Sequence, residues 1–158
     1  MNKPNSKFLQ DAVDLSREHM QNGDGGPFGC VIVKDGKVVG RGWNGVLSGN
    51  DPTAHAEVMA IRDACKNLGT FQLTGCDLYT SCEPCPMCLG AIYWARPDRV
   101  FYANNKTDAA NIGFDDSFIY EELALPMEKR KIPMIQMDKS EALKVFQLWA
   151  EKADKQRY

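Results

Sequence analysis

Three cysteines, Cys82, Cys85 and Cys88, stand at three-residue intervals in TSCEPCPMC, and one of only two histidines, His55, lies upstream in TAHAEVMAI. Two thiolates and an imidazole form a borderline-soft ligand set that suits zinc. Pro84 and Pro86 hold the residues before them in extended backbone, and Pro86 fits the first position inside a helix. Cys85 then becomes the N-cap and Cys88 the third helical residue, so both sulfurs gather over the open end of one helix. The free N–H groups there also favour the thiolate form. His55 follows Asp51-Pro52, a helix-start signal, which puts it in the first turn of an earlier helix.

Three protein ligands leave one corner of a tetrahedron open, which points to catalysis rather than to a structural staple. A closed four-ligand site completed by Cys82 is one alternative, and a dithiol redox pair is another. The redox reading leaves His55 and Glu57 without a role. Residues two apart on a regular helix point about 200° away from each other. His55 and Glu57 therefore share a site only if the metal lies beyond the helix end. A carboxylate beside a metal-activated water can carry its proton to a leaving group.

The elements that must position these groups are legible from periodicity and punctuation. Residues 6–20 read as a helix with Phe8, Ala12 and Leu15 near one face, followed by the loop QNGDGGPFG. CVIVKDGKVVGRG reads as a hairpin turning at Asp35-Gly36. A helix is expected from about Thr53 to Leu68, closed by Gly69. DLYTS is a buried strand, and PMCLGAIYWA is a nearly all-apolar helix ending before Pro97, with Tyr93 and Trp94 expected in packing. RVFYA is another strand and IPMIQM a last one. SEALKVFQLWAEKAD is an amphipathic helix with Leu143, Phe146, Trp149 and Ala153 on one face. Strands alternating with helices imply an α/β fold, a three-layer α/β/α sandwich with a mixed central sheet, in a single domain over residues 1–158.

Composition narrows the partners. Charged residues make up 25% of the chain and hydrophobic ones 44%, which fits a soluble globular protein, and no leader or membrane anchor is read at the N-terminus. A cytoplasmic address follows, and six cysteines in a reducing compartment favour metal binding or chemistry over disulfides. Net charge is −2, without the basic excess that phosphate contacts need, so a small molecule is expected rather than nucleic acid. The basic run Lys129-Arg130-Lys131 reads as a solvated loop. Cys30, Cys65 and Cys76 read as small buried apolar residues.

His-Ala-Glu followed by Pro-Cys-x-x-Cys resembles the signature of the zinc nucleobase deaminases, the cytidine-deaminase-like superfamily. Within it the chain is most similar to bacterial guanine deaminases. GGPFGCVIVKDG, NDPTAHAEVMAIR and LYTSCEPCPMCLGAIYWARP are shared widely in the superfamily, whereas GFDDSFIYEE and the terminal KQRY speak for the guanine branch. The resemblance implies one zinc per subunit held by His55, Cys85 and Cys88, with Glu57 shuttling protons. It also implies that Asn44 hydrogen-bonds a purine, that Phe28 lies against its ring and that the Ala56 backbone helps position it. Asp116 would face the guanine edge and assist proton movement, and Tyr158 would help close a pocket, that of a neighbouring subunit included. Strand termination by Asn44, core packing by Phe28 and helix capping by Asp115 or Asp116 are the structural alternatives. The implied reaction is hydrolysis of guanine to xanthine and ammonia, a step of purine catabolism. A tRNA adenosine deaminase, another base or nucleoside deaminase, or a zinc-stabilised binding module are the rival readings. A homodimer or larger oligomer is expected from the resemblance and from the apolar face of the last helix, with the segment between Pro126 and Pro133 as a hinge through which the part from about residue 119 is exchanged between subunits.

Overall fold

Asn5 opens the first helix by accepting the Lys7 N–H on its side chain, and α1 runs over Ser6–Gln21 in the computed structural model, which describes residues 3–158. The hairpin forms as expected, β1 (Gly29–Lys34) pairing antiparallel with β2 (Lys37–Trp43). Asp35 and Gly36 both take positive φ, 49° and 73°, the geometry of a two-residue turn that matches strand twist. β3 (Cys76–Cys82) lies antiparallel to β1 on its other side, and β4 (Arg99–Asn104) is parallel to β3. The sheet is therefore mixed, with order β2-β1-β3-β4.

Alternation along the strands makes two faces. Val31, Val33 and Tyr79 point to one side, against Phe8, Leu9 and Leu15 of α1. Cys30, Ile32, Cys76 and Leu78 point to the other, against Ala56, Ala60 and Ala64 of α3 (Ala56–Leu68) and Ile92 and Ala95 of α4 (Pro86–Ala95). A helix, a sheet and a second helical layer make the expected sandwich. The small residues let α3 sit close to β2. A Cβ on Gly42 would stand 2.2 Å from the Ala56 carbonyl oxygen and 2.3 Å from the Ala60 nitrogen. Two short helices, α2 (Val46–Gly49) and α5 (Lys106–Asn111), flank the strand ends, and α5 starts with a capping box between Asn105 and Asp108.

Several expectations are corrected. The helix read from about Thr53 begins at Ala56, because Asp51 takes the Thr53 N–H and hydroxyl into a turn first. His55 is thus the N-cap, with extended backbone (φ −77°, ψ 153°), rather than a first-turn residue. IPMIQM forms no strand: residues 132–137 are irregular, Pro133 has no N–H for a ladder, and Ile135 is 83% exposed. Tyr93 and Trp94 do not pack in a core, being 75% and 65% exposed. The all-apolar α4 buries one stripe, Cys88, Ile92 and Ala95, and a single chain covers only that side.

The chain divides into two compact units, one ending at Asp116 and the other spanning Ser117–Tyr158. The sandwich is the first. The second holds α6 (Ser117–Ala124), one 3-10 turn (Met127–Lys129) and α7 (Ser140–Glu151). Arg130 donates to the carbonyls of Leu123 and Leu125, and the Lys131 N–H donates to Glu122. The basic run therefore includes a closure of α6 and is more than a solvated loop. Of the expected apolar stripe, Leu143, Phe146 and Trp149 lie on α7 and are exposed, Phe146 by 73%, while Ala153 falls beyond the end of the helix at Glu151. Among the described residues no helix is long and apolar enough to cross a membrane.

Candidate metal centre and its surroundings

Two helix starts converge. His55 caps α3, and Cys85 caps α4 with Pro86 at the first helical position, as the two prolines dictate. His55 Nδ1 lies 3.5 Å from Cys85 Sγ and 3.5 Å from Cys88 Sγ. All three donor atoms fall within 4.8 Å of one another. Tetrahedral zinc at ordinary Zn–N and Zn–S lengths separates nitrogen from sulfur by about 3.6 Å. The spacing and the donor chemistry both fit that ion. The Cys85 thiol is lowered to about 4, chiefly by the Cys88 thiol beside it and then by His55, while Cys88 is raised by the same contact and by burial.

Cys82 stands apart. It ends β3, its Sγ donates to the Asn105 carbonyl, and burial pushes its thiol up to about 11. Cys82 is not among the three donor atoms that converge, because its Sγ is directed to the Asn105 carbonyl instead. None of the six cysteines is in a disulfide.

Glu57, the second residue of α3, is 6% exposed. It accepts from Thr80 Oγ1 at 2.9 Å and bonds the Cys88 side chain. Burial holds its carboxyl above the ordinary range. Because His55 is extended rather than helical, the 200° divergence expected of neighbours two apart on a helix does not arise. Ala56 is fully buried at the first helical position, where a helix leaves its N–H groups unused by its own ladder.

Asn44 follows the end of β2 and is 5% exposed. Its Oδ1 accepts the Gly26 and Val46 N–H groups, each at 3.2 Å, which leaves the amide NH2 as its free end. The approach of the glycine loop is tight: a Cβ on Gly25 would lie 2.1 Å from Asn44 Oδ1. The loop is tied down by Asp24. Its carboxylate meets His19 Nδ1 at 2.6 Å, and its carbonyl accepts the N–H groups of Leu47 and Ser48. His19 in turn stacks on Trp43, with ring centroids 3.7 Å apart and planes 3° from parallel. Phe28 is half-buried and meets Phe114 edge to face at 5.0 Å. Asp116 is half-buried, its carboxyl raised by burial and by the charge of Cys85. Tyr158 lies in the second unit, with 70% exposure.

Thr80, Asp24, His19 and Trp43 escape a reading of motifs. Thr80 was accessible from strand alternation, which puts it on the face of Leu78 and Cys76. The Asp24 tie has no signal beyond the loop's run of glycines.

A family model described as the cytidine and deoxycytidylate deaminase zinc-binding region matches residues 2–104. Guanine deaminase of Bacillus subtilis (strain 168) is 61% identical over 151 residues, covering 96% of this chain and 97% of that protein. An X-ray structure of guanine deaminase from Bacillus subtilis superposes with a TM-score of 0.95 at 59% identity, over 99% of each chain. A tRNA-specific adenosine deaminase of Aquifex aeolicus (strain VF5) is 40% identical over 96 residues, 61% of this chain and 63% of that protein.

Proposed function

This chain belongs to the zinc-binding cytidine and deoxycytidylate deaminase family, and from that membership we propose that it hydrolyses guanine to xanthine and ammonia. The observation that carries the substrate is the 61% identity to the Bacillus subtilis guanine deaminase over 96% of the chain, against 40% and 36% identity to tRNA-specific adenosine deaminases over 61% and 80% of it. The net charge of −2 supports a free base over tRNA.

His55, Cys85 and Cys88 hold the zinc, which when bound supplies Lewis acidity and so makes water a competent nucleophile near neutral pH. Water oxygen bonds to C2 of the base, and the C2–amine bond breaks. Glu57 takes a proton from the water and gives it to the amine, which then leaves as neutral ammonia rather than as an amide anion. Asn44, its oxygen already occupied, donates its NH2 to the acceptors of the base. Phe28 lies against the ring, the Ala56 N–H supplies a further donor, and Asp116 accepts from the N–H edge of guanine and assists proton movement. Tyr158 closes the pocket of a neighbouring subunit.

The assembly is a homodimer in which the segment from about residue 119 is exchanged between subunits. The exposed apolar side chains Ile135, Phe146 and Leu148 of the second unit support this, since one chain leaves them uncovered. A monomer at all concentrations in ultracentrifugation overturns it. Six free thiols, two of them in the ligand set, support a cytoplasmic site of action.

The test is an ammonia-release screen over guanine, guanosine, adenine, adenosine, cytosine and cytidine, with tRNA inosine formation alongside. Guanine is expected to turn over fastest, and Glu57→Ala to keep its zinc and lose turnover. Faster release from another base, or inosine in tRNA, replaces the substrate assignment. No release by zinc-loaded protein leaves a binding module.

A further inference from the structure

A hydroxyl fully buried against an acid needs a reason, and Thr80 has one. Its residue is 0% exposed, and Oγ1 lies 2.9 Å from Glu57 Oε1 and 3.5 Å from the Gly29 carbonyl oxygen. A hydroxyl has one proton to donate. The shorter contact, to a carboxylate in a buried setting, takes it, because charge-assisted bonds are the stronger kind. The Cys88 side chain is the other side-chain partner of Glu57, but as a thiolate ligand Cys88 has no proton to give. With the metal site filled, Thr80 is then the remaining side-chain donor to Glu57 among the described residues.

We propose that Thr80 is a positioning residue for Glu57: its hydroxyl pins Oε1 against the sheet, so that Oε2 alone receives and delivers the proton. The inference rests on the reading of Glu57 as the proton carrier. One proton leaves the water for Oε2 and the same oxygen passes it to the departing amine, so the carboxylate ends as it began. A pinned carboxylate makes this transfer without turning over, and the geometry of its free oxygen is the same in both halves of the cycle. β3 presents the hydroxyl because Thr80 shares its face with Cys76 and Leu78, which pack against α3.

The experiment compares Thr80→Val, Thr80→Ser and Glu57→Gln as zinc-loaded full chains, with metal content, xanthine affinity, KM and kcat for guanine measured on each. Thr80→Val keeps the shape and removes the donor. It is expected to hold zinc, bind xanthine and show KM within about twofold of the parent. Its kcat is expected to fall about 10- to 100-fold, the worth of one bond to a charged group. Thr80→Ser restores the hydroxyl and is expected to recover kcat to within about threefold. A merely structural role would lower the folded or metal-bound fraction and leave the turnover of the intact enzyme alone. Should Thr80→Val not fold, Thr80→Cys, a weak donor of similar size, is expected to fall clearly below Thr80→Ser in kcat, and equality of the two overturns the proposal. It is also overturned if zinc-loaded Thr80→Val turns over like the parent, if only KM moves, or if serine fails to restore the rate. Glu57→Gln separates the layers. An active Glu57→Gln sinks the proton-carrier reading itself, whereas an inactive one beside a fully active Thr80→Val sinks only the role of Thr80.

Discussion

Gly42→Ala tests how the sheet sets the metal site. The added Cβ would lie 2.2 Å from the Ala56 carbonyl oxygen, 2.3 Å from the Ala60 nitrogen and 2.9 Å from the Met59 carbonyl carbon. All three are backbone atoms of the first turns of α3, so no side chain can rotate out of the way. Carbon–oxygen contacts become comfortable only above about 3.2 Å, and α3 must therefore withdraw from β2 by roughly 1 Å. His55 and Glu57 travel with α3, while Cys85 and Cys88 stay on α4. A displacement of that size costs on the order of 100-fold in rate when it separates reacting groups. Overpacking itself destabilises by about 1–3 kcal/mol. Zinc affinity by chelator competition, ammonia release and thermal melting should all fall together. Gly90→Ala is the control, since its Cβ meets nothing within 4 Å inside α4, and it should gain about 0.5–1 kcal/mol from helix propensity. A folded Gly42→Ala protein with parental zinc affinity and rate would refute the mechanical link between β2 and the ligands.

Two further substitutions probe the surroundings. Asp24→Ala releases His19 from its carboxylate partner and loosens the loop that presents Gly26 to Asn44. KM for guanine is expected to rise about tenfold with kcat within twofold, since one hydrogen-bonding group is misplaced at the base. Asp24→Asn, which still accepts from His19, recovers most of that, and an unchanged KM in Asp24→Ala contradicts the clamp. Cys82→Ala is expected to keep one zinc per subunit and near-parental turnover, whereas Cys88→Ala loses the metal. Zinc lost from Cys82→Ala would restore the four-ligand structural site.

Much of the site was readable because its constraints are local. Pro86 forces Cys85 to be extended and begins a helix at once, so the position of both sulfurs follows from six residues. The hairpin at Asp35-Gly36 is equally local. Failures come where a neighbour decides. IPMIQM has the composition of a strand, but a strand exists only through its partner, and Pro133 removes one of the donors a partner would need. Tyr93 and Trp94 sit in a sequence apolar enough to be buried, yet burial depends on what lies across from α4. The turn at Asp51 displaces the start of α3 by pulling in Thr53, a side-chain competition invisible to periodicity. Asn44 shows the limit most clearly. Its type permits either hydrogen-bond polarity, and only two main-chain N–H groups, one of them 18 residues away, decide it.

His55 and Cys85 occupy the two residues that ordinarily seal a helix start, and neither side chain makes the usual sealing bond to its own helix. Each such omission is worth about 1 kcal/mol to a helix. One ion held by both residues would offset that loss in another way, by joining the two helix starts through their side chains. The layer of α3 and α4 would then be stitched at its mouth by a bond that can be withdrawn, and metal occupancy and cohesion of that layer would rise and fall as a single quantity.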